Sequence, residues 1–145
     1  MQTITMQQRC DAPPERVFAA ITDHVGFGKC LHIAMRVERE GVPAPNGLGA
    51  VRVVPSRGFS VREEVVRWEP PHAMDYRVVS GAPLQNHLGE IRVTPDGSGS
   101  RIDYQIRFAL PWYLGGSLIG GVLAGMLRKE ISAGLQRMAA ELMRA

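Results

Sequence analysis

The sequence predicts an α+β fold: a seven-stranded, curved antiparallel sheet wrapped around one long C-terminal helix, with two short helices between the first two strands. Three observations predict it. Six runs of period-two alternation succeed one another between residues 33 and 108, separated only by turn residues, which describes a meander. A proline-opened helical stretch separates them from a first alternating run. Near the C-terminus the period becomes helical: Leu127, Ile131, Leu135, Met138 and Leu142 share one face, opposite Lys129, Gln136, Arg137 and Arg144.

Residues 2–10 alternate, with Ile4 and Met6 on one side, and form the first strand. Asp11, Ala12, Pro13 and Pro14 then open a helix whose apolar stripe is Val17, Phe18 and Ile21. It ends near residues 23–24, and Gly26 and Gly28 limit the next segment to a short second helical turn. From residue 33, Met35, Val37 and Arg39 alternate with Arg36, Glu38 and Glu40, before the turn segment GVPAPNGLG. Residues 50–54 are the third strand, and 59–68 the fourth, stopped by Pro70 and Pro71. Residues 74–80 are the fifth and 85–94 the sixth, which a PDGSGS hairpin joins to the seventh at 101–108.

The opening of the last helix, near Leu114, departs from the rest of it. Residues 114–126 carry no charge and include Gly115, Gly116, Gly120, Gly121 and Gly125, each of which costs an interior helical position roughly 0.8–1 kcal/mol relative to alanine. Extending the buried stripe backward lands on Ala124, Gly120 and Gly116, so this inner face has almost no side chains. Such a face leaves either close backbone contact or empty space. The expectation is empty space, a cavity between helix and sheet.

At 145 residues the chain is expected to be a single domain spanning residues 1–145, large enough to bury roughly two-thirds of its unfolded-state surface. Its seventeen basic residues are scattered among fourteen acids, without a basic run or interleaved aromatics, which argues against nucleic acid as a partner. Cys10 and Cys30 make no disulfide framework, and the alternating N-terminal segment has no apolar core of a signal peptide. A cytoplasmic location is expected. Residues 108–127 are uncharged, but Pro111 and five glycines interrupt them, against a transmembrane span.

Taken together, several segments resemble one known family: Ala12-Pro13-Pro14-Glu15-Arg16-Val17-Phe18 before Ile-Thr-Asp; Gly47-Leu48-Gly49-Ala50-Val51-Arg52; Arg62-Glu63-Glu64-Val65 before Trp68-Glu69-Pro70-Pro71; Tyr76-Arg77-Val78; and His87-Leu88-Gly89-Glu90 before Pro95-Asp96-Gly97. In order and spacing, from Ile4 to Leu142, the chain resembles the START-domain-like (SRPBCC, helix-grip) superfamily, in particular its polyketide cyclase/dehydrase and lipid transport group. The resemblance implies a helix-grip fold and an internal apolar cavity for lipids, sterols, polyketides or other hydrophobic small molecules. It implies no single chemistry, since some members are cyclases or dehydratases and many are carriers.

Strand parity selects the candidate site. Phe59, Val61, Glu63 and Val65 share a face of the fourth strand, which sends a carboxylate inward. Tyr76 comes from the fifth strand, His87 and Ile91 from the sixth, and Tyr104 and Phe108 from the seventh. With Met35, Leu123 and Leu127 these residues are the expected walls of a ligand chamber carrying a few polar groups. Glu63 and His87 are the candidate acid/base groups of a cyclase or dehydratase; the alternative makes Glu63 an internal salt bridge to an arginine such as Arg52 and His87 a wall residue. The parity of Arg52 is opposite to that of Val51 and Val53, and its direction stays open. Asp23, His24, Cys30 and His32 match no metal-ligand spacing, and no nucleophile elbow, phosphate loop or dinucleotide fingerprint is present, so neither metal nor cofactor is expected.

Leu118, Ile119, Val122 and Met126 face away from the glycine stripe of a straight helix. Two readings stand: an exposed patch for peripheral membrane contact or a homodimer, or a helix that starts later or kinks at glycine and turns them inward as cavity lining. Trp112 and Tyr113 beside them either anchor at a membrane surface or close the cavity mouth.

Overall fold

The computed structural model describes residues 1–56 and 58–144. Seven strands form one antiparallel sheet in the order β1-β7-β6-β5-β4-β3-β2. These are β1 (Gln2–Cys10), β2 (Arg36–Arg39), β3 (Val51–Ser56), β4 (Phe59–Glu69), β5 (Ala73–Ser80), β6 (Gln85–Asp96) and β7 (Gly99–Ala109). Two short helices, α1 (Pro14–Thr22) and α2 (His24–Cys30), come after β1, and α3 (Gly116–Arg144) comes after β7. The element order and the sheet agree with the sequence reading. The difference lies at the start of the last helix. A single 3-10 turn, Trp112–Leu114, comes first, and Gly115 at φ 101 ends it in a left-handed conformation that glycine adopts without strain.

The chain reverses where its composition demands. Pro14 begins α1, where a missing N–H costs nothing, and the Asp23 side chain accepts from the Gly26 N–H to cap α2. Register shifts in β2/β3, β4/β5 and β6/β7 bend the sheet, as bulges do, and produce its concave face. The lower half of α3 lies in this concavity, with Ile131, Leu135 and Met138 buried against a core of Ile4, Met6, Val17, Ile21, Val93 and Ile102. Cys10 and Cys30 are buried and free. Among the described residues, no helix is long and apolar enough to cross a membrane.

At Gly120 the glycine stripe of α3 does not face empty space, while Gly116 has open space beside it. At Gly120 a Cβ would meet Cγ of Gln2 at 3.2 Å, and the Gln2 Nε2 donates to the carbonyl of Ser117 at 3.1 Å. Gly120 and Ala124 are both buried. The missing side chains therefore let the helix backbone approach the edge strand β1. Close contact, the option set aside in the sequence reading, is what the small residues provide.

Candidate functional site

A cavity of about 340 Å³ nevertheless lies between sheet and helix, one helical face away from the glycines. On the helix side Leu114, Leu123, Leu127 and Ile131 bound it, and on the sheet side Val54, Val61, Val78, Ile106 and Phe108. The volume falls within the range of small-molecule pockets. Of the eleven residues expected to bind ligand, Met35, Phe59, Val61, Glu63, Tyr76, His87, Tyr104, Phe108, Leu123 and Leu127 line it. Ile91 does not. It is fully buried in the core, opposite Met74 on β5 and Tyr104 on β7, where the sheet is packed solid. Phe59 stands at the rim, 51% exposed.

Five polar side chains, Arg52, Glu63, Tyr76, His87 and Tyr104, cluster at the inner end, and Ser56 and Glu130 also line the cavity. β3 and β4 pair with Arg52 directly opposite Glu63, and the Arg52 Nε donates to Glu63 Oε1 at 2.9 Å. Their side chains are only 4% and 12% exposed, so this is a desolvated ion pair tying adjacent strands. The guanidinium carbon sits 4.3 Å from the centroid of the Tyr76 ring, a cation–π contact. Burial works against the charge of Arg52, but the Glu63 carboxylate, together with Tyr76 and Tyr104, offsets it and the guanidinium is held above its ordinary pKa.

His24 completes the cluster from behind. Arg52 Nη1 lies 3.1 Å from His24 Nδ1, and His24 Nε2 lies 3.0 Å from the carbonyl oxygen of Asn46. An arginine only donates, so Nδ1 accepts and the ring proton resides on Nε2, which donates to Asn46. Burial, then the adjacent Arg52 charge, push the His24 pKa down to about 3. The sequence places this histidine at a helix end and in no metal-ligand spacing. Its role is fixed by a contact across 28 residues.

Tyr76 and Tyr104 meet through their hydroxyls, and burial raises the pKa of both. Tyr76 lies flat because its cross-strand neighbour is Gly89, where a Cβ would stand 2.3 Å from the ring carbon that bears the hydroxyl. We expect Gly89→Ala to displace the ring from Arg52 and Tyr104 and to cost about 1–3 kcal/mol, an overpacking penalty. Urea denaturation checks this; a loss below about 0.5 kcal/mol would mean that the ring shifts freely.

Beyond Tyr76 and Gly89 the paired register of β5 and β6 gives way. Asn86 takes a left-handed φ of 52, and the Val78 N–H donates to Nδ1 of His87 at 3.0 Å. An imidazole thus occupies the place of a ladder carbonyl, and the two strands part around the cavity. With Nδ1 accepting, the ring proton sits on Nε2. Burial lowers the His87 pKa and keeps the ring neutral.

Among the described residues no group of three His, Cys, Asp or Glu side chains is arranged to hold a metal. Chemically, the site is an apolar chamber with one electroneutral, hydrogen-bonding end.

A family model described as polyketide cyclase/dehydrase and lipid transport matches residues 1–143. The chain belongs to this family. No curated protein matches it in sequence. Solved structures share its fold across nearly their whole length. TTHA0849 of Thermus thermophilus is 18% identical with a TM-score of 0.77, over 99% of this chain and 98% of that one. A Thermobifida fusca protein solved by NMR is 19% identical with a TM-score of 0.78, over 99% and 95%. MLL2253 of Mesorhizobium loti is 14% identical with a TM-score of 0.75, over 99% and 98%. At these identities the likeness concerns the helix-grip fold of the family.

Proposed function

We propose that this family member binds and carries a hydrophobic small molecule in the cavity beneath α3. The observation that carries the reading is the chamber of about 340 Å³, apolar along most of its wall, with a cluster of polar groups on the sheet side. The family's lipid-transport description supports it. Leu127→Trp fills the chamber from the helix side. Native mass spectrometry of gently purified protein should show a bound small molecule in the wild type and lose it in Leu127→Trp. Equal retention by both would place the bound molecule elsewhere.

A cyclase or dehydratase is the second reading, favoured by the neutral His87 at the cavity wall and by the other half of the family description. It requires Glu63→Gln or His87→Ala to abolish turnover while binding largely persists.

The loading surface in this reading is the outer face of α3. Trp112 is 87% exposed, Leu118 77% and Val122 59%, with Tyr113, Ile119 and Met126 exposed beside them. Leu114 belongs both to this patch and to the cavity wall, so an apolar ligand could pass between them without crossing water. Lys129 lies one turn after Met126 on the same stripe, and no acid interrupts residues 104–129. That pattern suits an anionic bilayer surface. Val122→Asp should reduce co-sedimentation with phosphatidylserine-containing vesicles at least fivefold. Unchanged sedimentation alongside a dimer-to-monomer shift would instead assign the face to a second copy.

A further inference from the structure

We infer that the ligand presents an uncharged hydrogen-bond-accepting oxygen, a ketone or similar carbonyl, to His87 Nε2 at the inner end of the cavity, and that carboxylates are excluded. The inference rests on the carrier reading and names the chemical class it takes.

The direction of the hydrogen bond comes from the strands. The Val78 N–H consumes the only acceptor of the His87 ring, so what the ring offers its surroundings is an N–H donor. The two tyrosine hydroxyls satisfy each other with one proton and leave the second, another donor. Both tyrosines and His87 line the chamber, and the rings of Tyr76 and His87 lie 5.6 Å apart. The His87 N–H and the second tyrosine proton call for an acceptor on the ligand.

Charge selection comes from the ion pair. Arg52 lines the cavity and at first sight invites a carboxylate, yet it is already committed. Its Nε bonds Glu63, its Nη1 bonds His24, and its face covers the Tyr76 ring. Glu63 lines the same cavity with its own negative charge. An entering anion would lose its hydration, find the arginine neutralised and meet a buried carboxylate. A neutral carbonyl loses little and gains the His87 donor.

Three probes of one shape test this: 2-ethylnaphthalene, 2-acetylnaphthalene and 2-naphthoate, titrated into the wild-type protein at pH 7.5 by calorimetry. The ketone should bind at least tenfold tighter than the hydrocarbon, and the naphthoate weaker than either. His87→Phe should bring the ketone-to-hydrocarbon ratio to within about threefold of unity. Should that variant not fold, the wild-type ¹⁵N resonance of His87 Nε2 should shift with the ketone and not with the hydrocarbon. Hydrocarbon and ketone binding equally would overturn the inference and leave the carrier reading standing. Preference for naphthoate would overturn it in favour of an anion site. Failure of all three to bind would overturn both readings.

Discussion

Arg52→Met is expected to destabilise the protein by about 3–5 kcal/mol, because it strands the Glu63 carboxylate in a desolvated site. It also removes the donor to His24 and the cation over Tyr76. The double variant Arg52→Met/Glu63→Met should recover most of that loss, since an apolar pair avoids the desolvation penalty of both charges. Urea denaturation of the two variants separates the terms. A loss under about 1 kcal/mol in Arg52→Met would mean that the pair is solvated in solution and that the inner end of the cavity is wet.

Acid should weaken the fold through His24 before most carboxylates titrate. The imidazole is neutral in the fold, with a pKa of about 3, and protonates near 6.5 once the chain unfolds. Unfolding below pH 6.5 therefore takes up a proton, so the stability held by the neutral ring is complete above pH 6.5 and declines as pH falls toward 3. The lowered pKa of His87 acts in the same direction. One such proton amounts to about 2 kcal/mol lost between pH 6.5 and 5. His24→Gln should flatten the pH dependence in that window by about one proton, read from urea midpoints across the range. An unchanged slope would show that His24 titrates normally and that the Asn46–His24–Arg52 chain does not persist in solution.

Much of this site is legible in the strands. Period-two alternation puts Glu63, Tyr76, His87 and Tyr104 on the cavity wall because β4, β5, β6 and β7 each have one apolar face turned to the helix. Parity fails at β3. Val51 and Val53 are buried on the outer face, paired across the strands with Glu64, Arg39, Arg62 and Arg36, while Arg52 is buried on the inner one. A strand buried on both faces has no alternation that could say where its arginine points. Ile91 shows a second limit. It shares the face of His87 and Gly89, but parity identifies a face and not a depth, and Ile91 lies where the core closes. The glycines of α3 signal small residues without saying what lies beside each, and at Gly120 it is the Gln2 side chain.

A guest is expected to enter the chamber under α3. Intermolecular NOEs between saturating 2-acetylnaphthalene and methyl-labelled protein test it most directly. Cross-peaks are expected from the probe to the methyl groups of Val61, Leu123 and Leu127, which line opposite walls of the same cavity. Cross-peaks confined to Leu118 and Val122 on the outer face of the helix, or none at all, would contradict it.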